Sequence, residues 1–143
     1  MDTVALELVP TDRAGGFASA TVQLIAVKEM LQRLGLASRL NTFVVPQVVA
    51  EDEGRPVPFR EKLDTFQFSQ AVRNVLGKSV IINQITVYTP ALELGRLLHS
   101  YRQGGVRRVV FVGGPRGSQA ASLRGPSPVE SLRRFGQLLP QCG

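Results

Sequence analysis

Residues 80–112 read VIINQITVYTPALELGRLLHSYRQGGVRRVVFV, and this run decides the fold. It opens on a short β-branched stretch, Val80 to Val87. Thr89 follows as an N-cap with Pro90 at the first helical position, where a missing N–H costs nothing. Leu94, Leu97, Leu98 and Tyr101 then recur at helical spacing. Gly104-Gly105 ends the helix, and Arg108 to Val112 is an apolar strand. A strand, a crossover helix and a second strand in one run form a βαβ unit, whose strands lie parallel.

The same alternation extends in both directions. Upstream, Val4 to Val9 (VALELV) reads as a strand, followed by a Gly15-Gly16 turn and a helix from about Phe17 to Leu34. Ala20, Leu24, Val27, Leu31 and Leu34 give that helix an apolar stripe. Leu40 to Val49 (LNTFVVPQVV) is a second strand, bent or frayed at Pro46. The loop AEDEGRPVPFREK carries both signs of charge and reads as a solvated lid or surface loop. Asp64 and Gln67 form a capping box for a helix that buries Phe68, Val72, Val75 and Leu76 and stops at Gly77. Downstream, the fourth strand leads into GGPRG, and Ser127, Pro128 and Glu130 start a last helix with Leu132, Phe135 and Leu139 facing inward. The expected class is α/β with four parallel βα units in a single domain of 143 residues. Four units are half of an eightfold barrel or a small open sheet, since a closed barrel takes roughly 250 residues.

Composition narrows the function classes. With 43% hydrophobic content and no run of about 20 apolar residues, the chain is not expected to span a membrane. The opening MDTVALELVP lacks the basic and apolar regions of a secretory signal, so a cytoplasmic protein is expected. One cysteine, Cys142, and one histidine, His99, leave no disulfide framework and no expected metal site. Residues 1–62 hold seven basic and eight acidic side chains, net −1, while residues 63–143 hold ten and three, net +7. The arginines are scattered and the nine aromatics show no stacking pattern, so nucleic acid is not expected as a partner. A small anionic ligand, an acidic partner or a soluble surface accounts for the same charge.

In parallel βα folds the loops after the strands carry chemistry, which singles out Glu7, Gln47, Gln84, Thr86 and the Gly113–Gly117 loop. Alternation puts Ala5, Glu7 and Val9 on one face of the first strand and Leu6 and Leu8 on the other. Glu7 is then either a solvated edge carboxylate or a buried acid able to donate a proton. Gln84 and Thr86 share a face of the third strand, opposite Asn83, where an amide and a hydroxyl either orient a heteroaromatic ligand or satisfy neighbouring backbone groups. Gly113 and Gly114 can offer backbone N–H groups, and Arg116 a guanidinium, to an anion. The loop lacks the P-loop Lys-Ser/Thr and the GxGxxG spacing, so a plain βα turn is the other reading.

Four stretches in this order, ALELVP, EDEGRPVPFREKLD, QITVYTPALELGRLLHSYRQGGVRRVVFVGGPR and SPVESLRRFGQLLP, resemble the methylenetetrahydrofolate reductase family. The likeness is greatest to its short, flavin-independent actinobacterial branch, and it runs from Thr3 to about Pro140, the first four βα units of the family's barrel. The resemblance implies half of a TIM-like barrel, completed by self-association or by a second chain, with truncation the third possibility. It implies binding of 5,10-methylenetetrahydrofolate and hydride transfer from NADH or NADPH. Glu7 falls on the family's strand-one general acid, which protonates the folate N10. Thr86, Thr89 and Pro90 resemble the strand-three region, and Gln84 stands where flavin-dependent members carry histidine. Those members read Arg-Gly-Asp where this chain has Gly113, Gly114 and Pro115, and Pro46 and Gln47 replace their tyrosine-glycine-alanine motif, so FAD is not expected. The implied set is Glu7 as catalyst, Gln47, Gln84, Thr86 and Arg116 on the substrate, and Gly113 and Gly114 on the cofactor. The alternative is a non-catalytic folate-binding or partner-completing subunit.

Overall fold

A computed structural model describes residues 4–48, 61–113 and 124–138. Among the described residues four strands alternate with four helices, the parallel (βα)4 succession expected. The chain divides into two compact bodies, Met1–Val80 and Ile81–Gly143.

The first body contains β1 (Val4–Glu7), a 3₁₀ turn (Arg13–Gly15), α1 (Gly16–Arg33), β2 (Leu40–Pro46) and α2 (Thr65–Leu76). β1 pairs with β2 in parallel, with Ala5 opposite Thr42, Leu6 opposite Phe43 and Glu7 opposite Val44. β1 stops short of the expected Val9, although Leu8 N–H still donates to the Val44 carbonyl at 2.9 Å. β2 ends at Pro46 rather than Val49, because proline has no N–H to extend the ladder. Phe43 and Val45 are buried on one face, and Phe43 lines a small cavity with Leu31 of α1 and Leu76 of α2. That face is the helix-covered one, so Ala5, Glu7, Thr42 and Val44 occupy the open one. α1 buries Ala20, Leu24 and Leu31 from the expected stripe. Asp64 caps α2 by accepting from the Gln67 N–H at 3.0 Å, and Gly77 ends it at φ 66°, a left-handed conformation that glycine adopts without strain. Ser79, the first residue of β3, lies in this body and donates to the Asn41 carbonyl at 3.2 Å.

The second body contains the rest of β3 (Ser79–Ile85), then α3 (Ala91–Gln103), β4 (Arg108–Val112) and α4 (Pro128–Phe135). β3 and β4 pair in parallel, Ile82 opposite Val109, Asn83 opposite Val110 and Gln84 opposite Phe111. Ile82, Gln84, Val109 and Phe111 are buried with Leu94, Leu98 and Tyr101 of α3. Burying each of these leucines is worth about 2 kcal/mol. β3 ends at Ile85 rather than Val87, because the Thr86 carbonyl accepts from Thr89 N–H at 3.2 Å and turns the chain. α3 starts one residue later than expected, with Pro90 rather than Thr89 at the N-cap. α4 has the full capping box: Ser127 Oγ accepts from Glu130 N–H and the Glu130 carboxylate from Ser127 N–H, both at 3.2 Å. Leu139, expected inside the last helix, lies outside the described residues.

Candidate functional site

In the first body the candidate chemistry gathers where β1 meets α1. Glu7 is the last residue of β1 and is exposed, on the open face beside Val44. Of the two readings the alternation left open, solvated or buried, the solvated one holds. Beyond it, residues 11–13 are strapped to residues 61–63. Asp12 and Lys62 form an antiparallel bridge, Leu63 N–H donates to the Thr11 carbonyl at 2.7 Å, and Arg13 N–H donates to the Glu61 carbonyl at 2.8 Å. Lys62 Nζ donates to Asp12 Oδ1 at 2.7 Å, and an exposed Arg13–Glu61 pair closes at the same distance. The strap borders a cleft of about 520 Å³ whose lining includes Pro10, Thr11, Gly15, Ser19, Gln23 and Lys62. Thr11 Oγ1 is buried there without a hydrogen-bond partner. Sequence reading took this end of the charged loop as solvated surface. Partners 48 and 50 residues apart gave no local signal of the strap.

In the second body Gln84 corrects an expectation. Its side chain is fully buried on the helix-covered face, where Tyr101 Oη donates to Gln84 Oε1 at 2.6 Å and Gln84 Nε2 donates to the Ile85 carbonyl at 3.0 Å. The amide braces α3 against β3 and is turned away from the open face. Thr86 is also fully enclosed, its Oγ1 unpartnered, while its backbone N–H donates to the Val112 carbonyl at 3.1 Å. Asn83, on the opposite parity, is the half-buried polar side chain of β3 on the open face, beside exposed Val110. The alternation already separated Asn83 from Gln84. The missing information was which face α3 covers.

Gln47 follows the end of β2 and is half-buried. Gly113 is exposed just past β4, whereas Gly114 and Arg116 lie outside the described residues. Gly125 escaped sequence reading. Its N–H donates to the Val87 carbonyl at 2.8 Å, which stitches the segment before α4 to the loop after β3. A Cβ at this position would collide with the carbonyl oxygens of Thr86 and Thr89, so only glycine fits without a shift of the loop.

An exposed carboxylate on the open face after a parallel strand is the arrangement in which a βα fold meets a ligand. The family model of the mycobacterial methylenetetrahydrofolate reductases matches residues 1–143. The chain belongs to that family. No curated protein matches it. Membership makes the chain a relative of oxidoreductases that act on folate in one-carbon metabolism and draw reducing power from a nicotinamide. Among the described residues no helix is long and apolar enough to cross a membrane.

Proposed function

We infer that the chain is a cytoplasmic reductase of 5,10-methylenetetrahydrofolate, acting in a completed assembly with NADH or NADPH as direct hydride donor and without FAD. The observation that carries this reading is the family match over the whole chain, with Glu7 exposed on the open face of β1. Glu7 is exposed in the single chain; in the completed assembly, where the open face is enclosed, it protonates the folate N10, the bridging C–N bond breaks, and its electrons leave with that nitrogen. The methylene carbon, now an iminium on N5, accepts hydride and becomes the methyl group. Glu7 regains its proton from solvent. Direct transfer is supported by Pro46 and Gln47 at the end of β2 and by Gly113-Gly114-Pro115 after β4, none of which offers the acidic or tyrosine contacts of the flavin-dependent pattern.

The remaining units of the barrel come from a second copy, from another chain or, as the third possibility, from a longer form of this one. A second reading, a folate-binding subunit that completes a partner without catalysis, is favoured by the apolar exposure of the terminal βα units, Val4 at 53% and Val110 at 43% among them. The test is reduced-nicotinamide oxidation by the purified chain given 5,10-methylenetetrahydrofolate, with the 5-methyl product measured. Turnover in proportion to product, and none without folate, is expected. Folate binding with no oxidation would favour the subunit reading, and the absence of both would contradict either.

A further inference from the structure

The cleft beside the strap has features that the role given to Glu7 does not use. It begins at Val9, two residues past Glu7, so the Cα atoms of the two lie within about 7 Å of each other. Its volume of about 520 Å³ is that of a small-molecule site. The lining mixes apolar side chains, Val9, Pro10 and Ala14, with the hydroxyl of Ser19 and the amide of Gln23. Its two ionised side chains, Asp12 and Lys62, are bonded to each other at 2.7 Å, so the lining carries no net charge. Gly15 makes room in it. The backbone there stands at φ −81° and ψ −11°, a conformation open to any residue, so the turn itself does not call for glycine. A Cβ would lie 2.6 Å from Ser19 Cβ and 2.8 Å from Ser19 Oγ, and the missing side chain therefore leaves the Ser19 hydroxyl its space. Ser19 and Gln23 are one helical turn apart on α1, and Gln23 Nε2 reaches Ser19 Oγ only at 3.4 Å, long for a hydrogen bond. Among the described residues the Ser19 proton and Gln23 Oε1 have no other partner.

We propose that this cleft seats the nicotinamide and ribose of the hydride donor, with the ring on Val9, Pro10 and Ala14, its carboxamide paired with the Gln23 amide, and a ribose hydroxyl on Ser19. The inference rests on the direct use of NADH or NADPH proposed above, and assigns it a site. Three features select this occupant. A primary carboxamide is the complement of another, each donating an N–H to the other's carbonyl, and Gln23 offers both groups. A lining whose charges cancel attracts neither an anion nor a cation, which suits a neutral ring. The reduced nicotinamide ring is neutral and the oxidised one positive, so the apolar part of the lining favours the form that carries the hydride. Placed here, the ring is next to the segment of chain that holds Glu7, as a donor of hydride to the protonated folate must be.

Binding measured without turnover tests the assignment. Nuclear magnetic resonance of the full chain titrated with reduced nicotinamide mononucleotide is expected to show saturable shifts at Val9, Ala14, Ser19 and the Gln23 side-chain amide, with AMP at the same concentration giving none. Gln23 is exposed, so Gln23→Leu changes the cleft and not the core, and it should weaken NADH binding about 3- to 10-fold, the worth of a hydrogen bond. The reduced 3-acetylpyridine analogue of NADH keeps the carbonyl on the ring and lacks the amide N–H. Wild-type protein should bind it several-fold more weakly than NADH, and Gln23→Leu should bind the two alike, a ratio that a merely structural role for Gln23 would not move. If Gln23→Leu unfolds the chain, Gln23→Glu carries the same comparison. Shifts given by AMP and not by the nicotinamide nucleotide, or an analogue ratio that is the same in wild type and variant, would overturn this inference and leave direct hydride donation standing. No binding of NADH at all would overturn both. Nicotinamide shifts in the cleft of a chain that reduces no folate would contradict the proposed function alone.

Discussion

Glu7 and Gln84 make an instructive pair, because each is a polar residue near the end of an otherwise apolar strand. Glu7 stands on the open face of β1 in the first body, exposed beside Val44. Gln84 stands on the helix-covered face of β3 in the second, fully buried and held by Tyr101. Strand parity separates them. The residues two before Glu7, at Ala5, and opposite it, at Val44, are small or only half-buried, whereas those around Gln84, Ile82 and Phe111, belong to the core. A polar group sharing parity with core residues is enclosed by the fold, while one of the other parity is available to a ligand.

The comparison is broken most severely by exchanging the expected effects of the two residues. Glu7→Gln keeps size and shape but has no proton to give, so turnover is expected to fall roughly 10²- to 10⁴-fold with unchanged thermal stability. Steady-state rates and a melting curve on the same sample check this, and full activity with an altered melting curve would reverse the assignment of faces. On the helix-covered side, Ile82→Ala should cost ~2–5 kcal/mol in urea unfolding, because the side chain is completely buried. The open-face change Asn83→Ala should stay within about 0.5 kcal/mol, as surface changes generally do.

Smaller effects sharpen the picture. Tyr101→Phe removes the donor to Gln84 Oε1 and is expected to lower stability by ~1–3 kcal/mol with catalysis intact, as read from the urea midpoint and the specific activity. Gly125→Ala forces a Cβ against two carbonyls of the loop after β3 and should cost about 1–3 kcal/mol, measured in the same way. Arg13→Ala breaks an ion pair whose side chains are 67% and 69% exposed, so a loss of at most about 1 kcal/mol, fading at high salt, is expected.

The repeat itself was legible in the sequence because its signals are local. RVVFV marked β4 to the residue, Asp64 and Gly77 bracketed α2, and Ser127 with Glu130 announced the capping box of α4. The misplaced ends have equally local causes: Pro46 stops β2, and the Thr86–Thr89 turn stops β3. Contacts set by long-range packing were not legible. Alternation divides β3 into two faces but does not say which one Tyr101 covers, and no spacing links Asp12 to Lys62 or Gly125 to Val87. The exposure of Glu7 likewise depended on the parallel pairing of β1 with β2.

The central claim is that reduced folate uses the open face on which Glu7 stands. Methyl-labelled nuclear magnetic resonance of the chain titrated with 5,10-methylenetetrahydrofolate tests it most directly, since methyl groups report the two faces of a strand separately. The account predicts saturable shifts at Ala5 and Val44, next to Glu7, with Ile82, Leu98 and Val109 around Gln84 unmoved. Saturable shifts confined to Ile82, Leu98 and Val109, with Ala5 and Val44 unchanged, would contradict it.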